Sequence, residues 1–446
     1  MVSLPRVVVA APASGHGKTM IATGLLAALR ARGLEVSGHK VGPDYIDPGY
    51  HALAAGRPGR NLDPWLVGEQ RIAPLLLRGA ATPRPADVAV VEGVMGLHDG
   101  AVGRAGFAST AHVARLVDAP VVLVLDTTAQ GRSAAATVLG MAAFDPAVRI
   151  AGVILNRVGT PRHERLLREA MAEVDVPVLG SVARSDAVVT PSRHLGLIPA
   201  AERSTEATAI VGALGELVRD SVDLDAVLEL ARTAPDLDVE PWDPAREVTA
   251  AGAAPVVAVA SGAAFTFNYV ETTELLRAAG ADVVGFDPLS DPSLPPGTTG
   301  VVIGGGFPEL HAEQLAGNRG LLAQLAEFDG PIAAECAGLL YLCKSVDGVA
   351  MVGRVDAAAH LAPTLTLGYR EAVAEADSPV AAAGDRVRGH DFHRTVTDPA
   401  HGRVAAWTYD GARQGFAAGR LHAAYLHTHW AGHPAAAQRF VAACVA

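Results

Sequence analysis

The sequence predicts an α/β protein with two domains. In the first half, uniformly apolar runs such as RVVVAA, DVAVVEG and APVVLVLD alternate with helical stretches. Apolar strands separated by helices are typical of a parallel sheet that is covered on both faces. A second alternation begins at PVVAVAS and continues through ADVVGFDP, GVVIGGG and PIAAEC. Both halves are therefore predicted to form parallel-sheet domains.

The domain boundaries follow from the chain length and from a loss of periodicity. A chain of 446 residues is too long for one ordinary core and suits two domains. Over residues 231–254 the alternation gives way to Pro, Asp and Ala, which is typical of a linker. We expect a first domain over residues 1–230, a linker over residues 231–254 and a second domain over residues 255–446.

The composition excludes several classes of function. A formal net charge of −11 argues against nonspecific binding to nucleic acid, which needs a basic surface. No apolar run reaches the roughly 20 residues needed to cross a bilayer, and the N-terminus lacks the features of a signal peptide. The three cysteines form no CxxC pair and no zinc-like spacing. We expect a soluble, cytoplasmic protein that binds neither nucleic acid nor membranes; its oligomeric state is left open, a homodimer included.

The first apolar run leads into the loop APASGHGKT, residues 11–19. A strand, a glycine-rich turn and a helix form the context of a phosphate-binding loop, although Pro12 stands where the motif usually has its first glycine. Backbone N–H groups of the loop would hold phosphates at the start of the helix, and the threonine hydroxyl would bind Mg²⁺. The alternative is a turn that only connects strand to helix. The predicted ATP-binding residues of the loop are Ser14, Gly15, His16, Gly17, Lys18 and Thr19.

Acidic residues at strand ends are the predicted partners of this loop. Glu92 ends the run DVAVVE and Asp99 follows it, whereas Asp44 and Asp47 follow the run VSGHKVG. Ligand sites in parallel sheets lie at the carboxyl ends of the strands, so these acids are expected to share one crevice. Because Mg²⁺ prefers oxygen ligands, we predict Glu92 as a metal ligand and the three aspartates as substrate or metal-site acids. Asn156 ends a later strand, where its amide would contact adenine or, alternatively, only terminate a turn.

The first half resembles the dethiobiotin-synthetase-like branch of the P-loop proteins, whose phosphate loop has this form. The segments KVGPDYIDPGYH and EGVMGLHDG, residues 40–51 and 92–100, are similar to segments of the a,c-diamide synthases of cobalamin biosynthesis. This resemblance implies that ATP activates the acetate carboxylates of a corrin ring as acyl phosphates. A phosphorylated carboxylate has a leaving group that ammonia can displace.

A cysteine in the second half has the surroundings of a nucleophile. The run PIAAEC leads into a helical stretch at Cys336, which is the arrangement of a nucleophile elbow, and the helix N-terminus is expected to lower the pKa of the thiol. A cysteine nucleophile needs a base, and YLHTHW places His427 and His429 on one face if that segment is a strand. The glycine turn after VVI offers the amides of Gly305 and Gly306 as an oxyanion hole. The alternative is that the cysteine is a small buried hydrophobic residue.

The second half resembles the triad-type glutamine amidotransferases, in the variant found in cobyric acid and a,c-diamide synthases. The similar segments follow one another as AFTFNYVET, GGGFPEL, ECAGLLYL, GYRE, GHDFHRT and YLHTHW. The resemblance implies that Cys336 forms a glutamyl thioester and that His427 activates it. His429 stands where other triad amidotransferases have a Glu and is the alternative activator. The segment GHDFHRT supplies further polar residues, which we expect to contact substrate carboxylates or a domain interface and for which a metal site is the alternative: His390, Asp391, His393 and Arg394.

Together these features predict an ATP- and Mg²⁺-dependent ligase that hydrolyses L-glutamine and amidates the a and c acetates of cobyrinate or hydrogenobyrinate. The expected partner is this corrinoid substrate, and ammonia is expected to pass internally to the acyl phosphate. One alternative is an amidotransferase for another tetrapyrrole acid, such as a cobyric acid synthase or a nickel sirohydrochlorin a,c-diamide synthase. Others are a regulatory P-loop ATPase and a protein of the same fold without a working glutaminase.

Overall fold

The computed structural model describes residues 1–184, 192–193, 196–197 and 199–446. The chain divides into two compact units, Met1–Trp242 and Asp243–Ala446, and the division lies within the segment 231–254 that we predicted as a linker. No helix in the described ranges is long and apolar enough to span a membrane.

The first unit contains a parallel sheet of seven strands in its described residues. These strands are β1 (Arg6–Ala10), β2 (Val36–Val41), β3 (Arg60–Leu62), β4 (Val88–Glu92), β5 (Val121–Asp126), β6 (Ile150–Val158) and β7 (Val178–Ala183). Their order in the sheet is β3-β2-β4-β1-β5-β6-β7. Every residue of β1, β2 and β4 is buried, which requires cover on both faces of the sheet. A short antiparallel pair follows, β8 (Ser192–Arg193) with β9 (Gly196–Leu197).

Helices alternate with these strands, as the sequence predicts. They are α1 (Lys18–Ala31), α2 (Asp47–Ala55), α3 (Pro64–Val67), α4 (Ile72–Ala81), α5 (Thr110–Leu116), α6 (Ser133–Phe144), α7 (Pro161–Ala172), α8 (Ser204–Ser221) and α9 (Leu224–Arg232). Strand β1 lies between β4 and β5. The loop from β1 into α1 therefore opens beside the carboxyl end of β4, where ligand sites of parallel sheets are found.

The second unit contains a six-stranded sheet and a seven-stranded sheet in its described residues. Its strands are β10 (Val256–Ala260), β11 (Asp282–Phe286), β12 (Thr298–Ile303), β13 (Ile332–Glu335), β14 (Ser345–Val346), β15 (Val349–Ala350), β16 (Ala358–Ala374), β17 (Arg386–Asp398), β18 (Trp407–Tyr409), β19 (Ala412–Gln414), β20 (Phe416–Ala418), β21 (Leu421–Ala424) and β22 (His427–Thr428). Its helices are α10 (Val270–Ala278), α11 (Ala312–Gly317), α12 (Arg319–Ala326), α13 (Ala337–Leu342) and α14 (Ala435–Val445).

The six-stranded sheet has the order β11-β10-β12-β13-β21-β20 and is parallel except for β20. The other sheet is built on the long antiparallel pair β16–β17, with β14 and β15 on one side and β22 on the other. The α/β fold class is confirmed in both units. The β16–β17 pair was not predicted; it carries the segments GYRE and GHDFHRT on adjacent strands.

Candidate active sites

Two glycines shape the loop after β1. Gly15 and Gly17 have φ angles of 83° and 96°, in the left-handed region that favours glycine. A Cβ atom on Gly17 would lie only 2.4 Å from Nδ2 of Asn156. Helix α1 begins at the next residue, Lys18, so the loop ends at a helix N-terminus, where the helix dipole favours an anion.

Two hydrogen bonds attach the loop to neighbouring strands. Nδ2 of Asn156, in β6, donates to the carbonyl oxygen of His16 at 2.8 Å. The backbone amide of Asp126, the last residue of β5, donates to Nδ1 of His16 at 2.9 Å. Asn156 also lines the cavity above the loop, so the residue that we predicted to contact adenine supports the loop itself.

Polar side chains from β2, α1, α2 and β4 converge beneath the loop. Oγ1 of Thr19 donates to Oε1 of Glu92 at 2.5 Å and to Oδ2 of Asp47 at 3.2 Å. Nζ of Lys40 donates to the same two oxygens at 2.8 Å and 2.6 Å. Nε2 of His51 lies 2.7 Å from Oε2 of Glu92. These five residues form what we call the acid cluster.

Charge in the acid cluster is set by burial and by these contacts. Burial alone would raise the pKa of Glu92, but Lys40 and His51 outweigh it, and the pKa lies below its ordinary value. Burial alone would lower the pKa of Lys40, but Asp47 and Glu92 raise it above its ordinary value. We missed Lys40 and His51 in the sequence. Both lie in the segment KVGPDYIDPGYH, and a lysine near the end of a buried strand indicates a buried acidic partner.

A cavity of about 500 Å³ lies over the loop and the acid cluster. Asp44 lines it, and its Oδ1 accepts hydrogen bonds from the backbone amides of Ile46 and Asp47 at 2.8 Å and 3.0 Å. Asp99 does not line it; its carboxylate accepts from the amide of Gly96 at 3.0 Å. Three of the four predicted acids, Asp44, Asp47 and Glu92, therefore share the crevice.

Cys336 stands on a sharp turn between β13 and α13. Its φ angle is 50°, which is rare for a residue with a Cβ atom. Its amide donates to the carbonyl of Ala424 at 2.8 Å, and the amide of Gly338 donates to the carbonyl of Gly304 at 3.0 Å. A Cβ atom on Gly338 would lie 2.3 Å from the carbonyl oxygen of Ile303. The turn has the strand-to-helix geometry of a nucleophile elbow.

The Cys336 thiol is 3% exposed, and its sulfur lies 3.9 Å from the carbonyl oxygen of Phe392. Burial raises the pKa of the thiol above its ordinary value, although the backbone amide of Ala337 opposes this. The expected lowering of the pKa is therefore not found. The physical reason is that a helix of six residues offsets little of the cost of burying a thiolate.

His427 lies in β22 opposite His390 of β17. The Cε1 atom of His427 is 2.5 Å from the position that a Cβ atom on Gly305 would take. Burial lowers the pKa of His427 to about 3, and His390 and His393 lower it further. The imidazole is therefore neutral at ordinary pH and able to accept a proton.

His429 has different neighbours. Its Nε2 atom lies 3.6 Å from Oε2 of Glu271, in the first turn of α10, and both side chains are fully buried. Its ring stacks on Tyr269 with centroids 4.1 Å apart. The two histidines thus occupy separate surroundings: His427 beside the glycine turn and His429 beside Glu271.

The structure differs from the predicted oxyanion hole at Gly305. The amide of Gly305 donates to the carbonyl oxygen of Phe267 at 3.1 Å, so the structure does not offer it to an oxyanion. A Cβ atom on Gly306 would lie 2.1 Å from the carbonyl oxygen of Ala264, so this position requires glycine. The backbone amide of Ala337 acts on the Cys336 thiol and opposes the rise of its pKa. In a nucleophile elbow the amide that follows the nucleophile is one donor of the oxyanion hole, a general rule that we did not apply to the sequence.

Asp391 and His393 line a cavity of about 290 Å³ in the second unit. Nε of Arg370 lies 3.0 Å from Oδ2 of Asp391 and 3.2 Å from Oδ2 of Asp410. Burial raises the pKa of Asp391 to about 6, although Arg370 opposes this. His390 and Arg394 do not line this cavity: His390 pairs with His427 of β22, and Arg394 donates to the carbonyl oxygen of Pro363. In the described part of the chain, no three His, Cys, Asp or Glu side chains are arranged to hold a metal ion.

Comparisons with known proteins identify one domain in each half of the chain. Residues 7–198 match the model of the CobQ/CobB/MinD/ParA nucleotide binding domain, and residues 256–435 match that of the CobB/CobQ-like glutamine amidotransferase domain. The predicted P-loop and amidotransferase domains are confirmed by these matches.

Similar proteins align with nearly the whole chain. A hydrogenobyrinate a,c-diamide synthase of Thermobifida fusca is 57% identical, over 99% of this chain and 97% of the relative. One of Streptomyces coelicolor is 55% identical, over 99% and 98%. A cobyrinate a,c-diamide synthase of a Synechococcus species is 40% identical, over 98% of both chains.

Proposed function

The chain belongs to the cobyrinate and hydrogenobyrinate a,c-diamide synthase family, and we propose that hydrogenobyrinate is the acid that it amidates. It is a glutamine-dependent, amide-forming ligase of cobalamin biosynthesis, with ATP and glutamine as co-substrates. Several relatives named for hydrogenobyrinate are 51–57% identical to it, and several named for cobyrinate are 40–41% identical. The reaction type is supported by one observation: a single chain combines a phosphate loop above buried acids with a cysteine on a nucleophile elbow.

In the first unit, we propose that the loop Ser14–Thr19 binds the phosphates of ATP and that Lys18 contacts them. Nζ of Lys18 donates to the carbonyl oxygens of Ala13 and Met95, at 3.2 Å and 2.5 Å, so it lies at the base of the cavity. The terminal phosphoryl group passes to an acetate oxygen of the corrinoid, giving an acyl phosphate and ADP. Ammonia then attacks the acyl carbon and inorganic phosphate leaves. Fixed positive charge stabilises the charge that spreads over the phosphoryl oxygens.

In the second unit, we propose that His427 removes the Cys336 proton as the sulfur attacks the side-chain amide carbon of glutamine. The amides of Ala337 and Gly306 stabilise the oxyanion. The intermediate collapses with transfer of the proton to the leaving nitrogen, so ammonia leaves and a glutamyl thioester remains, which water hydrolyses to glutamate. At rest the thiol pKa is raised and the pKa of His427 is lowered, so both groups are neutral.

We further propose that Mg²⁺ binds at the acid cluster, held by Thr19, Glu92 and Asp47. The donor set fits a hard cation, since it consists of a hydroxyl and two carboxylates whose oxygens all meet within hydrogen-bonding distance. When bound, Mg²⁺ would neutralise charge on the phosphates. Lys40 is the cation that holds the two carboxylates together in the structure.

The Lys40→Met variant is expected to be less stable than the wild type in metal-free buffer, by about 3–5 kcal/mol, because the buried Glu92 carboxylate loses its cation. Added Mg²⁺ should recover part of this loss by binding the same oxygens. Urea denaturation with and without Mg²⁺ measures both effects, and the exposed Lys344→Met variant serves as the control. An unchanged midpoint in metal-free buffer would show that Lys40 does not compensate the acids.

The acceptor is identified by incubating the purified chain with ATP, Mg²⁺, glutamine and one acid at a time. We expect hydrogenobyrinate to show two successive mass changes, each replacing a hydroxyl by an amino group. Cobyrinate should react more slowly, and nickel sirohydrochlorin should not react. Faster diamide formation from cobyrinate would reject the assignment of the acceptor while leaving the reaction type in place.

A further inference from the structure

Glu335, the last residue of β13, immediately precedes Cys336, and its carboxylate has two different partners. Oε1 accepts hydrogen bonds from the backbone amide and the hydroxyl of Thr428, at 3.2 Å and 2.6 Å. Oε2 lies 3.9 Å from Nδ1 of His427. The carboxylate therefore connects the strand that ends at the nucleophile with the strand that carries the histidine.

Sheet pairing explains how this contact arises. Glu335 pairs with Ala424, the last residue of β21, and the chain reaches β22 three residues later. The side chain of Glu335 is 25% exposed and that of His427 is 1% exposed, so both are largely shielded from water. A carboxylate beside one ring nitrogen of a histidine fixes the ring orientation and stabilises the imidazolium that forms during proton transfer.

We infer that Glu335 is the positioning acid of the glutaminase: its carboxylate faces Nδ1 of His427 and stabilises the imidazolium that forms when the histidine accepts the proton of Cys336. This inference rests on the proposed function of Cys336 and His427. Thr428 helps to position Glu335, because its two hydrogen bonds fix Oε1 and so direct Oε2 towards the His427 ring. His429 does not take this role, since a carboxylate is required and its own neighbour is Glu271.

The test compares Glu335→Gln with the wild type in the full-length chain. We expect the variant to lower kcat for glutamine hydrolysis on the order of 100-fold, with KM for glutamine little changed, because the amide keeps the shape but not the charge. Glu335→Asp should recover part of the rate. Amide synthesis from ammonium chloride should be unaffected, which also shows that the variant is folded. Glu313→Gln, on the exposed face of α11, is the matched control.

The pH profile provides a readout that a purely structural role would not change. Burial raises the pKa of Glu335 to about 7, although Thr428 opposes this. Because the ionised form is required, kcat for glutamine should rise as pH increases through about 7 in the wild type, and this rise should be absent in Glu335→Gln.

Other titratable groups nearby must be separated from Glu335 in that profile. His427, on β22, and His390 and His393, on β17, have pKa values lowered by burial to about 3, 4 and 4. Glu309 and Asp391 act on the Cys336 thiol, whose own pKa is raised. Burial raises the pKa of Asp391 to about 6, so an Asp391→Asn variant should retain the Glu335-dependent rise.

Two results would overturn the inference. One is a Glu335→Gln variant with wild-type kcat and an unchanged pH profile. The other is equal loss of activity with glutamine and with ammonium chloride, which would mean that Glu335 only maintains the fold. If the wild type itself hydrolyses no glutamine, the proposed glutaminase function is wrong. If the wild type is active and Glu335→Gln is equally active, only the inference about Glu335 is wrong.

Discussion

Replacing Lys18 by alanine is expected to lower amide synthesis on the order of 10³-fold, whether glutamine or ammonium chloride supplies the nitrogen. Lys18 stands at the first position of α1 and is 8% exposed. Burial, together with repulsion from Lys40, lowers its pKa to about 8, so the side chain still carries its positive charge at neutral pH. In the Lys18→Ala variant, the phosphates of ATP lose the positive charge that stabilises transfer of the phosphoryl group to the carboxylate. The measurement is diamide formation followed by mass, with phosphate release as a second readout.

Glutamine hydrolysis by Lys18→Ala, measured as glutamate release, should persist, because Cys336 belongs to the other unit. The control is Lys344→Ala, which removes an exposed lysine paired with Asp356. Substantial amide synthesis by Lys18→Ala would remove the loop from the mechanism. Loss of glutamate release as well would indicate that the two activities are coupled through Lys18.

Replacing Cys336 by serine is expected to lower glutamine-dependent synthesis on the order of 10⁴-fold while ammonium-dependent synthesis is retained. Serine matches the cysteine in shape, so the strained turn at φ 50° and the hydrogen bond to Ala424 should survive. Its hydroxyl is a far weaker nucleophile, and a buried neutral imidazole does not ionise it readily.

The matched control for Cys336→Ser is Cys444→Ser. Cys444 lies in α14 and its thiol donates to the carbonyl of Phe440 at 3.2 Å, a contact that serine can reproduce. This control should keep both activities. Equal loss of activity with glutamine and with ammonium in Cys336→Ser would contradict the proposed two-site mechanism. Full activity with glutamine would show that Cys336 is not the nucleophile.

Much of the first site could be predicted because its signals are local. The loop at residues 14–19 follows an apolar strand and precedes a helix, and Glu92 ends another apolar strand. Lys40 and His51 were missed because one lies within a strand and the other within a helix, where a polar side chain has many explanations. Their function becomes visible only through their contacts with Glu92 and Asp47.

The second site shows the limits of local reasoning more clearly. The sequence suggested that a helix N-terminus lowers the pKa of Cys336, yet burial raises it, and the carbonyl oxygen of Phe392 in β17 lies 3.9 Å from the sulfur. It also suggested the amide of Gly305 for an oxyanion, yet that amide donates to Phe267. Both differences come from segments far away along the chain.

By itself, the sequence determined the two α/β domains, the phosphate loop, the acids at strand ends and the pairing of a cysteine elbow with a histidine doublet. These features are determined by short-range patterns: apolar periodicity, glycine positions and the residues that end strands. Only the tertiary structure decided that Lys40 compensates Glu92, that His427 rather than His429 lies beside the glycine turn, and that Glu335 lies beside His427. The reason is physical: burial and the partner of a polar group depend on which distant strands become neighbours, and charge and pKa follow from that arrangement.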